Sequence, residues 1–173
     1  MTLTPAQRKL VLTVHVMTSV GLLGAIAAFL ALAILGVAAA DEQTQRGVYP
    51  AMALVARAVI LPLAAAALAI GLVQALCTPW GLIRHYWVLL KLMLTSFATA
   101  ILLIKMRMIG DAARLASDFA VSRAELSSLG VQLLVHAAGG LAVLLVPAVL
   151  SIYKPPGLTP YGFRRQQGCR AGS

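Results

Sequence analysis

Long apolar runs alternate with short polar segments along the chain. Four runs reach the length of about 20 helical residues that a hydrocarbon core of about 30 Å requires: residues 10–40, 48–76, 86–104 and 131–153. A helix that is apolar on all sides over such a length is typical of a membrane span. The pattern therefore predicts an all-α, polytopic membrane protein, built as a four-transmembrane-helix bundle.

The connections between the runs are short and leave no room for a second domain. Apolar residues make up 61% of the chain and charged residues 11%, against about 45–50% and about 25% in soluble domains, which supports the membrane class. We expect one membrane domain over residues 1–173, with a tail at 154–173 and helices at about 8–40, 48–76, 84–108 and 130–153.

The first run also has two features of a cleaved signal peptide. Arg8 and Lys9 form a basic start, and three alanines precede Asp41 as in a cleavage site. Its apolar stretch is much longer than the signal-peptide core of about 7–15 residues. We therefore expect it to be retained as the first transmembrane helix.

The charged residues lie almost entirely between the runs and predict the orientation. One side of the membrane holds cations and no acid: Arg8, Lys9, Arg84, Lys154, Arg164, Arg165 and Arg170. The other side holds all five acids, mixed with four arginines: Asp41, Glu42, Asp111, Asp118 and Glu125. The positive-inside rule then predicts a multi-pass protein of a bacterial cytoplasmic (inner) membrane with both termini cytoplasmic. Orientation and contact with anionic lipid headgroups explain the net charge of +9, so nucleic acid is not an expected partner.

An amphipathic segment lies between the third and fourth runs, at about residues 111–128. Leu115, Phe119, Ser122 and Leu126 follow helical spacing, while Arg114 and Asp118 occupy another face. We expect this segment to form an interfacial helix on the outer membrane surface.

Small residues recur at helical spacing within the runs and predict close helix packing. They include Gly21 with Ala25, Gly24 with Ala28, and the pair Gly139 and Gly140.

Polar residues near the cytoplasmic side are the first candidate binding site: His15, His85 and Lys91, with Thr18, Gln74 and Tyr86 at similar depth. His15 lies about 10 Å along the first helix from Arg8, and His85 opens the third helix on the same side. A haem of the b type with two histidine ligands needs them at similar depth, which His15 and His85 satisfy if their helices are neighbours. The alternative to haem ligation is that each histidine is hydrogen-bonded to a neighbouring carbonyl or threonine of the bundle.

A second group of candidate ligands lies toward the outer side and consists of His136, Met106 and Met108, with Arg57 and Lys105 nearby. Imidazole and thioether ligands suit copper(I), which makes these three residues a candidate metal site. Methionine also fills space in ordinary membrane helices.

Catalysis without a partner is not expected, and no catalytic residues are assigned. No acid falls within a predicted helix core, so paired carboxylates for acid–base chemistry are missing. Neither a Gly-x-Ser-x-Gly turn nor a phosphate-binding loop occurs.

Several motifs together resemble a family of small, uncharacterised four-helix membrane proteins of bacteria, many of them actinobacterial. They span most of the chain, at residues 14–16, 19–21, 78–92, 135–140 and 151–162. The resemblance implies an inner-membrane location and no particular activity. The helix number and scattered histidines are also distantly similar to the copper-resistance D type of membrane domain, from which no ligand set carries over.

Three functional hypotheses follow. The first is a non-enzymatic scaffold or accessory subunit that binds a protein partner, a lipid or a small ligand at its cytoplasmic end. Its expected partners are the lipid bilayer and either another membrane protein or further copies of itself. The second is a redox or metal protein that holds haem or copper. The third is a small oligomeric transporter, for which the intramembrane cations Arg57 and Lys91 and the prolines Pro62 and Pro147 matter.

Overall fold

The computed structural model describes residues 4–77, 86–153 and 163. Four long helices account for nearly all of them: α1 (Pro5–Ala38), α2 (Glu42–Cys77), α3 (Tyr86–Ser117) and α4 (Arg123–Tyr153). By length and composition, each is apolar enough to cross a membrane. The predicted four-helix, all-α membrane architecture is confirmed at this level.

The helices follow one another round an up-and-down bundle. The extensive contacts are those of α1 with α2 and α4, and of α3 with α2 and α4. The beginnings of α1 and α3 meet the ends of α2 and α4 around one cavity, which makes neighbouring helices antiparallel. We call this the terminal end of the bundle. The opposite end, which carries the turns at 39–41 and 118–122, is the turn end.

Helices α1 and α2 begin with capping side chains. Thr4 Oγ1 accepts the N–H of Gln7, and Gln7 Oε1 accepts the N–H of Thr4 in return. Asp41 Oδ1 accepts the N–H of Thr44 at 2.7 Å, and this hydrogen bond lowers the pKa of the Asp41 carboxyl. The cap lets α2 begin at Glu42, before the predicted start near residue 48.

A π-helical turn at Ala56–Ile60 interrupts the α-helical geometry of α2. It ends just before Pro62, which has no N–H to donate to the carbonyl of Ala58. The N–H of Leu61 bonds instead to the carbonyl of Ala56, five residues back. The helix thereby continues through a proline without a break, and Arg57 lies within the π turn.

The predicted interfacial helix at about 111–128 is wrong. Helix α3 continues to Ser117 and α4 begins at Arg123, so the predicted segment divides between two long helices and the turn at 118–122. Of the predicted apolar face, Leu126 is buried, whereas Leu115 and Phe119 are 38% and 86% exposed; the residues of this segment that pack inside the bundle include Ala112 and Ala116.

Arg46 of α2 binds carbonyls in the last turn of α3 and in the turn that follows it, where intrahelical partners are lacking. Its guanidinium donates to the carbonyl oxygens of Ala116 at 3.3 Å, Asp118 at 2.8 Å and Val121 at 2.7 Å. The remaining Nε donates to Glu42 at 2.8 Å. The side chain is 8% exposed and lies over the ring of Phe119. A buried cation thus closes the α3–α4 turn.

Arg123 of α4 likewise binds backbone carbonyls that follow the end of α1. It donates to the carbonyls of Ala39 at 2.9 Å and Ala40 at 3.2 Å, and to the amide oxygen of Gln45 at 3.1 Å. Gln45 in turn donates to the Ser127 hydroxyl at 2.9 Å. We refer to Gln45, Arg46 and Arg123 as the turn-end cluster.

The Tyr49 side chain reaches from α2 to the backbone of α4. Its hydroxyl donates to the carbonyl of Leu126 at 2.6 Å. A Cβ at Gly130 would lie 2.7 Å from the Tyr49 hydroxyl and 3.0 Å from a methyl of Val37. A glycine at position 130 therefore makes room for the hydroxyl, since the tyrosine is enclosed and hydrogen-bonded.

Replacement of Arg46 by lysine tests the turn-end cluster. We expect Arg46→Lys to lower the free energy of unfolding by about 1.5–3 kcal/mol, because one ammonium cannot reach three carbonyls and a carboxylate. Unfolding in mixed detergent micelles measures this. The matched control Arg107→Lys changes an exposed arginine of α3 and should stay within about 0.5 kcal/mol of the wild type. Equal stability of the two variants would contradict the structural role.

Gly130, which faces the Tyr49 hydroxyl, gives a second test. We expect Gly130→Ala to destabilise the bundle by about 1–3 kcal/mol, because the new methyl displaces the Tyr49 hydroxyl. Gly139→Ala in the same helix is the control, since no atom lies within 4 Å of its Cβ position. The same unfolding assay distinguishes them, and a stable Gly130→Ala protein would disprove the close approach.

Candidate functional site

A cavity of about 190 Å³, most of whose lining is apolar, lies between all four helices at the terminal end. Its polar lining side chains are His15, Ser19, Gln74, Lys91, Thr95 and Ser151. We call it the polar cavity. Three of the residues predicted for a cytoplasmic-side site, His15, Gln74 and Lys91, are brought together here.

The His15 side chain of α1 lies against the backbone of α2 at the edge of this cavity. Its ring packs on Gly71, where a Cβ would lie 3.0 Å from the imidazole Cε1. The ring nitrogen Nδ1 is enclosed and has no hydrogen-bond partner among the residues that the structure describes. Buried polar atoms nearly always have a partner, so this nitrogen is costly in the packed bundle. The His15 side chain lines the cavity, but its Nδ1 has almost no surface open to it.

Lys91 supplies a positive charge at the same place. Its ammonium lies 5.1 Å from the centroid of the Trp87 ring, a cation–π contact, and both side chains line the polar cavity. The Thr95 hydroxyl, one turn further along α3, donates to the carbonyl of Lys91 at 2.9 Å. The site therefore combines imidazole, ammonium, amide and hydroxyl groups.

Two other residues predicted near this site, Thr18 and Tyr86, do not line the cavity. The hydroxyl of Thr18 donates to backbone carbonyls of its own helix. Tyr86 is 57% exposed. His85, the second predicted haem ligand, lies outside the described residues, so pairing with His15 stays a prediction.

A second cavity, of about 310 Å³, adjoins the polar one and is almost wholly apolar. All four helices contribute to it, with Ile26, Ile60, Leu102 and Leu133 among its lining residues. We call it the apolar cavity. Gly139 and Gly140 also line it, and no atom lies within 4 Å of a Cβ built at either position. The expectation that this pair mediates close packing is wrong, because the two glycines face open space.

The predicted copper ligands are not gathered in one cavity lining. His136 and Lys105 line the apolar cavity, whereas Met106 and Met108 are not among its lining residues and pack against the buried core. Nδ1 of His136 lies 2.6 Å from the carbonyl of Gln132, so that nitrogen is used within α4. Within 4–77, 86–153 and 163, no three or more His, Cys, Asp or Glu side chains are grouped as metal ligands. Copper binding stays a prediction.

Sequence reasoning missed the cavity residues Ser19, Thr95 and Ser151. A usable signal was present, since Ser19 and Thr95 lie four residues after His15 and Lys91. Residues four apart share a helix face, so these pairs mark the faces that meet at the cavity.

No protein family matches the sequence, and neither a curated protein nor a solved structure is significantly similar to it. Function is therefore inferred from the two cavities.

The state of His15 can be tested through stability. We expect His15→Leu to cost no more than about 0.5 kcal/mol and even to stabilise the bundle, because an enclosed unpaired nitrogen is replaced by an apolar group of similar size. His136→Leu serves as the comparison, since its Nδ1 has a partner. Thermal unfolding in detergent measures both. A loss of about 2 kcal/mol or more for His15→Leu would show a structural hydrogen bond instead.

Proposed function

We propose that this protein is a non-enzymatic membrane protein that binds a small ligand in the polar cavity. The observation that carries the proposal is the grouping of His15, Gln74 and Lys91 around one cavity. Polar and ionisable groups inside a membrane bundle are costly and mark functional positions. A ligand with hydrogen-bonding groups would contact these side chains.

The side chains that line the two cavities favour ligand binding over catalysis. Imidazole, ammonium, amide and hydroxyl groups hold and orient a polar group, and the adjoining apolar cavity accepts an apolar one. Pockets that bind small molecules typically have about 300–1,000 Å³, a range that the two adjoining cavities reach together. The ligand is therefore of the size of a lipid fragment or a small metabolite.

We further propose that the protein lies in a bacterial cytoplasmic membrane with both termini cytoplasmic. The helix ends at Pro5 and Tyr153 lie at the same end of the bundle, near the sequence segments that contain cations and no acid. This arrangement puts the polar cavity near the cytoplasmic face and the turn-end cluster near the outer face.

Reporter fusions test this orientation. Alkaline phosphatase is active only outside the cytoplasm, so we expect a fusion after Ser173 to be inactive and a fusion after Ala120, in the α3–α4 turn, to be active. A green fluorescent protein fused at the same two positions should give the opposite pattern. Activity of the phosphatase at Ser173 would contradict the proposed topology.

Native mass spectrometry tests ligand binding. We expect protein extracted from its membrane in mild detergent to carry a small-molecule adduct that is lost in Ala148→Phe, because the phenyl group fills the polar cavity. Ala75→Phe fills the same cavity from α2 and is the second variant. Ala142→Phe, at an exposed position of α4 that lines neither cavity, should keep the adduct. Absence of any adduct from the wild type, or its retention in both filling variants, would contradict the proposal.

A further inference from the structure

The polar and apolar cavities adjoin inside the bundle. Leu22 of α1 and Leu144 of α4 line both cavities, so the cavities meet at these two side chains. A molecule that occupies both cavities must be polar at one end and apolar at the other. An amphiphile with one chain has this form.

The charge of the lining selects an anionic head. Lys91 lines the polar cavity together with His15, and neither cavity is lined by an Asp or Glu among the described residues. A positive charge in surroundings of low dielectric constant attracts an anion far more strongly than it would in water. A carboxylate or a phosphate ester satisfies both the ammonium and the hydrogen-bonding groups around it.

The direction of the ligand follows from the polar side chains of the two cavities. Lys105 and His136 border the apolar cavity, but His136 is exposed and its Nδ1 lies 2.6 Å from the carbonyl of Gln132. The polar cavity is lined by His15, Gln74 and Lys91 together. The head therefore belongs beside His15 and Lys91.

The bilayer gives the tail access to the apolar cavity. Phe97 of α3 and Val135 of α4 line the cavity and are 59% and 60% exposed, so the cavity borders the lipid-facing surface between these helices. The open space beside Gly139 and Gly140 lies on the same wall. A chain can enter here sideways without crossing a polar barrier.

We propose that the two cavities bind an amphiphile with one chain and an anionic head, a carboxylate or a phosphate ester. The head lies at His15 and Lys91, and the chain passes Leu22 and Leu144 into the apolar cavity. This inference rests on the proposed function and adds the class of ligand and its direction.

Trp87 provides a direct readout, because it lines the polar cavity and not the apolar one. The chain has two tryptophans, so Trp80→Phe leaves Trp87 as the only one. In nanodiscs of phosphatidylcholine, this protein is titrated with dodecanoate brominated at carbon 2 or at carbon 12, since bromine quenches tryptophan on contact. We expect saturable quenching that is stronger for the 2-bromo probe. Stronger quenching by the 12-bromo probe would overturn the direction.

Competition determines the head. Unlabelled dodecanoate or dodecyl phosphate should displace the 2-bromo probe, and the more effective of the two identifies the head as carboxylate or phosphate ester. Dodecyltrimethylammonium and dodecanol have the same chain and should not displace it. Equal displacement by the cationic or the neutral compound would overturn the anionic assignment.

Variants locate the head and the chain. Lys91→Gln should weaken binding of the 2-bromo probe about tenfold or more, and by more than Lys105→Gln does. Gly140→Leu should abolish binding by filling the apolar cavity, whereas Gly24→Leu, equally free of close neighbours and outside both linings, should not. A larger loss for Lys105→Gln, or full binding in Gly140→Leu, would overturn the inference.

Two results would overturn this inference and leave the proposed function standing. A neutral or cationic amphiphile whose quenching is blocked by Ala148→Phe overturns the anionic head and leaves a ligand in the polar cavity. Absence of saturable quenching by the anionic probes, with an adduct still visible in native mass spectrometry, overturns this inference alone.

Discussion

The buried guanidinium of Arg46 is the interaction on which the turn end of the bundle depends. A backbone carbonyl without a partner is costly in or near hydrocarbon, and helices satisfy all but their last carbonyls internally. Arg46 satisfies the end of α3, and Arg123 does so for the end of α1. Both turns can therefore be short and still be fixed.

Close packing of α3 is concentrated near the turn end. Its buried residues in the described structure are Ile109, Gly110, Ala112 and Ala116, all in its last third. Toward the terminal end, α3 lines the polar cavity instead, although Ala67 of α2 and Pro147 of α4 are buried there. The polar cavity thus lies where α3 is loosely packed, whereas the apolar cavity borders the buried core at Ile60, Ile109 and Leu133.

Part of the site could be predicted from sequence. The grouping of His15, Gln74 and Lys91 follows from depth, since helical rise converts residue number into height along the bundle. Pairing of His136 with Met106 and Met108 used the same height argument, but height does not give the direction in which a side chain points. The structural role of Arg46 could not be predicted from the sequence, for a different reason. Its partners on Ala116 and Asp118 are some 70 residues away in sequence and depend on which helices are neighbours.

The sequence by itself determined the number of helices that are long and apolar enough to span a membrane, and their approximate limits, because length and hydropathy are local properties that the thickness of a bilayer constrains directly. Helix order, the two cavities and the course of residues 111–128 were decided only by the tertiary structure. A span that is apolar on all sides carries little information about which face meets lipid and which meets another helix, since lipid tails are as apolar as a protein interior. Gly139 and Gly140 show the consequence: the same small residues that allow close packing can line an open cavity, and only the position of the neighbouring helices distinguishes the two.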